Sequence, residues 1–186
     1  MDHNRVRRFW NENAQVWTQL SRPGYDVYRD HLNTPAFLEM LPDVAGLRGL
    51  AEAHRTLTAQ GFLQFSITHP CYDTPHRRNL RDADGRTYAH EVGNYFTNLE
   101  GRLDEWIFSA APQESRSRLP AFRIPRFTRT LSQWLNLILD IGFVLERIGE
   151  PCPSEETIHR HPSLQDAQVV AYFLHVRAHK RSDQGR

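Results

Sequence analysis

From the amino terminus, apolar positions recur at helical spacing: Val6, Phe9, Trp10, Ala14 and Trp17, with Arg7, Arg8 and Glu12 between them. Steps of three and four gather such residues on one face, so the pattern predicts an amphipathic helix that Pro23-Gly24 ends. Thr34-Pro35 has the form of an N-cap followed by a first-turn proline. It predicts a short helix through Phe37, Leu38 and Leu41, up to Pro42. Val44, Leu47, Leu50, Ala51, His54 and Leu57 mark a further helical face between 43 and 60, and Gly61 stands at the expected stop. The period then changes to two. Leu63, Phe65 and Ile67 alternate with Gln64, Ser66 and Thr68, which predicts a strand over 62–68 leaving through His69-Pro70.

Residues 71–121 are polar with scattered aromatics, among them Tyr72, Tyr88, Tyr95, Phe96, Trp106 and Phe108. They read as loops with one or two short strands, and a segment of that length inside a domain is often a lid or binding insertion. Thr130 and Gln133 then have the spacing of a capping box, and Leu131, Trp134, Leu135, Ile138 and Ile141 continue a helix that Gly142 stops. A short strand is expected over 143–148, with Glu150-Pro151 as its terminator. Val169 to Val176 is almost continuously apolar and predicts a central strand covered on both faces. The last ten residues read as a basic tail.

Composition narrows the class. The 186 residues suit one domain, and 39% hydrophobic with 24% charged residues describes a globular chain. Lysine plus arginine (23) nearly balance aspartate plus glutamate (22), so the net charge is +1 and no strong field points to nucleic acid or a membrane surface. Two cysteines, Cys71 and Cys152, make no disulfide framework. The first residues lack the apolar core of a signal peptide, and no apolar run approaches the roughly 20 residues of a membrane span, so a cytoplasmic protein is expected. His69, Cys71, Asp73 and His76 lie close together, but their intervals match no zinc pattern and no metal is expected.

Several phrases resemble one family in their order and spacing. Ala51-Glu52-Ala53-His54-Arg55-Thr56-Leu57 leading to Gly61-Phe62-Leu63 is similar to the helix and turn before the fifth strand of class I (Rossmann-like) S-adenosylmethionine-dependent methyltransferases of the type 11 or UbiE-like kind. Ser66 to Cys71 resembles the exit of that strand. Residues 130–151, with Ile141-Gly142-Phe143 inside, resemble the helix and strand that follow the family's substrate insertion, and Tyr172 to Arg177 its last, antiparallel strand. Phe9-Trp10, Ala14 and Trp17 resemble the helix that folds over the cofactor, and Pro42 to Leu50 the lead-in to the first strand.

The implied fold is α/β: a truncated Rossmann-like sheet of the C-terminal strands, the last one antiparallel, with N-terminal helices. In one domain, 1–50 would form a helical lid and lead-in, and 51–70 a helix and the fifth-strand equivalent. Residues 71–129 would be the substrate-side insertion, 130–178 the C-terminal helix and strand pair, and 179–186 the tail. After Gly49-Leu50 the pattern breaks. The family would continue with Asp-x-Gly-x-Gly-x-Gly and an acidic ribose ligand, whereas Leu50 is followed at once by the helix before strand five. About a hundred residues, carrying four strands and their helices, are missing relative to the family. The glycines that remain are dispersed, and none forms a Gly-x-Gly after a strand.

The resemblance implies S-adenosylmethionine as cofactor and a small-molecule acceptor, while the missing glycine-rich turn argues against cofactor binding by this chain. Trp10 and Tyr25 are the cofactor-binding candidates that survive; Tyr28, Tyr95, Trp106 and Arg123 are the substrate-binding candidates. His69, at the carboxyl end of the strand over 62–68, read as a parallel strand, is a candidate for orienting or deprotonating a substrate group. Each has a plainer reading: a packing face for Trp10 and Trp17, solvated charge for Arg123 and Arg126, a structural loop histidine for His69. Two functions follow. One is a methyltransferase by lineage, impaired or inactive as written. The other is a non-catalytic remnant that pairs through an exposed sheet edge, as a homodimer for instance.

Overall fold

A computed structural model of the chain describes residues 2–40, 57–58 and 61–180. The helical face expected between 43 and 60, the Leu50–Ala51 junction and the end of the basic tail therefore lie outside the described residues, apart from Leu57 and Thr58.

Helix α1 spans His3–Ser21, and Asp2 caps it by accepting from the Arg5 N–H at 2.8 Å. Its buried positions are Phe9, Asn13 and Leu20, with Val16 and Trp17 half-buried; Ala14 faces solvent. Asn13 is the unexpected member of that face. Its side-chain amide donates to the Phe9 and Arg123 carbonyls and its oxygen accepts from the Arg123 N–H, so it pairs with strand backbone as a neighbouring strand would. A π-helical turn, Arg29–Asn33, runs directly into α2, Thr34–Glu39. Thr34 is thus helical and caps nothing, because the chain enters α2 already coiled and leaves no free N-terminal N–H groups for a cap to satisfy.

The main sheet contains β1 (Phe62–Thr68), β6 (Phe143–Gly149) and β7 (Phe173–Lys180), in the order β1-β7-β6. β7 is antiparallel to both neighbours, so β1 and β6 run in the same direction. Ile67 faces Leu174, Phe65 faces Val176 and Leu63 faces Ala178 across the β1–β7 ladder. On that face α4 (Leu131–Asp140) contributes Ile138, closing an aliphatic core with Phe143. The capping box of Thr130 and Gln133 is present, and Gly142, with φ 102°, turns the chain from α4 into β6. The other face carries Gln64, Ser66, His175 and Arg177, which meet α2 and the π-helical turn through polar contacts.

β7 is central and buried, but it begins later than the apolar run predicts. Residues 162–168 form a 3₁₀ helix, Val169 is still helical, and Arg177 to Lys180 belong to the strand and not to a tail. Backbone pairing with β1 and β6 decides this: Arg177 keeps its place because its guanidinium reaches the Met40 carbonyl and Glu146.

The segment expected to be largely loop is more ordered than its polarity suggests. It forms the antiparallel pair β2 (His76–Arg81) and β3 (Thr87–Gly93), and the pair β4 (Arg102–Trp106) and β5 (Phe122–Arg126), with the short α3 (Gln113–Arg118) between the last two strands. α1 packs on the second pair around Leu20, Phe108 and Phe122. A third apolar cluster, Leu32, Leu164, Ala167 and Tyr172, joins the π-helical turn to the 3₁₀ segment; α5 (Glu155–Arg160) precedes that segment. Among the described residues no helix is long and apolar enough to cross a membrane.

Candidate functional site

Between these second and third clusters lies a cavity of about 780 Å³, within the range of small-molecule sites. One wall comes from α1 and the turn after it: Trp10, Trp17, Tyr25, Asp26, Tyr28 and Arg29. A second comes from the exit of β1 and the entry of β7: Thr68, Tyr72, Asp73, Tyr172 and Phe173. The third comes from the insertion: Asp104, Trp106, Phe108 and Arg126. The opening thus sits at the carboxyl end of β1, beside the entry of β7.

The walls are aromatic and ordered. Tyr28, Tyr172 and Tyr72 stack in sequence, at 5.1 Å and 3.9 Å between ring centroids. Trp17 meets Trp106, Phe108 and Phe122 edge-on or tilted within 5.5 Å. Burial, with the charge of Asp166 nearby, pushes the Tyr28 hydroxyl above its ordinary pKa, and burial does the same to Tyr172. Both phenols stay protonated at neutral pH. Tyr28 donates to the Ser163 carbonyl at 2.7 Å.

Charge in the cavity is largely paired. Arg126, with a side chain 13% exposed, donates to both Asp73 and Asp104, and Arg77 binds Asp73 from the other side. This chain of four charges ties the β1 exit to β2, β4 and β5. Asp166 accepts from Asn79, Arg81 and Thr87, which holds β2 and β3 against the 3₁₀ helix. Asp26 is held less well: its oxygens lie 3.3 Å from the Arg29 N–H and 3.6 Å from the Arg29 guanidinium. Burial raises its pKa.

Of the residues singled out from the sequence, Trp10, Tyr25, Tyr28 and Trp106 come together on the cavity walls. His69, Tyr95 and Arg123 do not. His69 is buried just beyond Thr68; its Nδ1 accepts from the Cys71 N–H at 3.1 Å, which leaves Nε2 to donate to Glu150 at 2.8 Å. With both ring nitrogens engaged it latches the exit of β1 to that of β6, and Glu150 is its partner as well as the end of a strand. Tyr95 accepts from the Leu131 N–H at the start of α4. Arg123 pairs with Glu105 at 3.2 Å, and its guanidinium lies over Phe9. His76 binds Glu91, and Asp73 is taken up by Arg77 and Arg126. Asp26, Tyr72, Asp104, Asp166 and Tyr172 are wall residues that spacing did not single out; the Tyr25–Tyr28 pair beside the Pro-Gly turn is the signal that marks Asp26 between them.

No protein-family model and no curated protein matches the chain. Among solved structures it is similar to an S-adenosylmethionine-dependent methyltransferase from Mesorhizobium loti, at 24% identity and a TM-score of 0.47. It is similar also to a Listeria monocytogenes protein assigned to the same class, at 21% identity and a TM-score of 0.47. Each likeness covers 67% of this chain and 50% of the other, so the chain spans half the length of either protein.

Proposed function

We propose that the chain descends from S-adenosylmethionine-dependent methyltransferases and keeps their acceptor side: a cleft for a small molecule, with methyl transfer impaired or absent. One observation carries the reading. An antiparallel β7 lies between two strands of common direction, and an aromatic cavity opens at the carboxyl end of β1, roofed by α1 and by the insertion that precedes α4. That is the arrangement the sequence resemblance implies for the C-terminal half of such an enzyme.

The residues present do not fit the cofactor. Among the described residues no closely spaced pair of glycines joins a strand to a helix, so none of their turns offers the backbone approach that a nucleoside cofactor needs. Asp73, Asp104 and Asp166 are engaged by arginines, and Asp26, the cavity carboxylate with only long contacts, stands on the turn after α1 and not at the end of a strand where a ribose ligand would lie. Methyl transfer depends mainly on aligning an activated methyl with its nucleophile, so losing the cofactor side removes most of the activity. Calorimetric titration with S-adenosylmethionine and with its demethylated product should give no binding heat; micromolar affinity for either would overturn this reading.

A second reading concerns assembly. β1 is an edge strand among the described residues, and an edge with free N–H and C=O groups can pair with a second copy. Light scattering after size exclusion tests it: a dimer supports edge pairing, and a stable monomer removes it.

A further inference from the structure

The cavity has a charge pattern of its own. Its walls carry five carboxylates, Asp26, Asp73, Asp104, Glu105 and Asp166, against three guanidinium groups, Arg29, Arg77 and Arg126. Among the described residues no lysine or histidine lines it. Arg77 and Arg126 are taken up by Asp73 and Asp104, and Arg29 gives its close contact, 2.8 Å, to Asp30. Glu105 stands at the exposed rim with Arg123, and Asp166 has three donors. Asp26 differs from all of these. Its side chain is only 12% exposed, and among the described residues its donors are the two long contacts to Arg29. A carboxylate taken from water without close donors is under-compensated, and a ligand that brings a charged N–H group restores what it lost. Trp10, Tyr25 and Trp106 line the same cavity, and rings of this kind attract cations and pack against another aromatic ring.

We propose that the cleft takes a small aromatic amine in its cationic form, with the ammonium on Asp26 and the ring among the tryptophan and tyrosine walls. The inference rests on reading the cleft as a ligand site, and it adds the chemical class of that ligand. Burial also raises the pKa of Asp26, outweighing the opposing pull of the Arg29 N–H and guanidinium.

Three indoles of similar size separate charge from shape: tryptamine, a cation; tryptophol, neutral; and indole-3-acetate, an anion. In calorimetric titrations tryptamine should bind about tenfold more tightly than tryptophol, the worth of one charge-assisted hydrogen bond, and indole-3-acetate more weakly than either. Asp26→Asn, which keeps the side chain's shape, should bring tryptamine down to the level of tryptophol and leave tryptophol unchanged; an unaltered melting temperature shows that the variant is folded. Equal binding of the three indoles, or a tryptamine preference that survives in Asp26→Asn, overturns the assignment to Asp26 while leaving the cleft as a ligand site. Failure of all three to bind overturns the cleft reading itself, and this proposal with it.

Discussion

The sheet and the insertion are held together by different physics. Around β7 the core is aliphatic: Leu174, Val176 and Ala178 are fully buried, and Ile138 and Phe143 close over them. The insertion has few aliphatic residues to bury. It relies on edge-to-face aromatic rings around Phe122 and on the charge chain from Arg77 through Asp73 and Arg126 to Asp104. Aliphatic burial is non-directional and tolerates small shifts, whereas a buried ion network holds only while every partner is in place. The cavity lies where the two regimes meet, and its walls draw on both.

The largest expected effect tests whether the two regions stand or fall together. Phe122→Ala removes a side chain with no exposed surface and should cost about 4 kcal/mol, with Leu174→Ala at about 3 kcal/mol. If the regions are separable, Phe122→Ala speeds amide exchange in β2 to β5 while β1, β7 and β6 stay protected. Loss of protection in the sheet as well would show one cooperative unit. Next comes the ion network. Arg126→Met leaves Asp104 without its cation and Asp73 with Arg77 alone, and should cost about 3 kcal/mol in urea unfolding. A loss under 1 kcal/mol would mean that aromatic packing alone carries the insertion.

The smallest effect is a slope against pH. His175 is buried against the polar face of the sheet and donates to Asn33 at 2.7 Å; burial lowers its pKa. The unfolded chain therefore takes up a proton near pH 6.5 that the folded chain resists. The stability this residue supplies is complete above that pH and declines as the pH falls toward the folded value. His90, in the insertion, is lowered in the same direction by burial and by Arg77. Urea midpoints measured from pH 7.5 to 5 should fall, and His175→Gln should flatten the fall in part. A variant slope equal to the parent's would place the titration elsewhere, at His90 or at His161, whose pKa burial also lowers.

Much of the sheet was legible before any coordinates. β1 begins and ends where the alternation does, α4 follows its capping box to a glycine stop, and the apolar run after Val169 does mark the central strand. The insertion was not, because β2 and β4 are mostly charged: their strands form through ion pairs and hairpin partners rather than through an alternating apolar face. Of the site, the aromatic candidates on α1 and the turn after it were legible, since large rings beside a Pro-Gly break are conspicuous. Arg123 and Arg126 were not separable. They lie three apart on one strand, yet one reaches the rim and the other is sealed between two carboxylates.

What the sequence by itself determined is therefore local: the periods of two and 3.6, the caps, the glycine stops and the balance of charge. Those signals depend on neighbours within a turn or a strand, so they survive without a tertiary context. Only the folded chain decided the partners. Asn13 meets Arg123 across 110 positions, His69 meets Glu150 across 81, and Arg126 meets Asp73 across 53. Burial, pairing and the shape of a cavity are sums over such distant contacts, which is why Asp26 looks like any surface aspartate until the walls close around it.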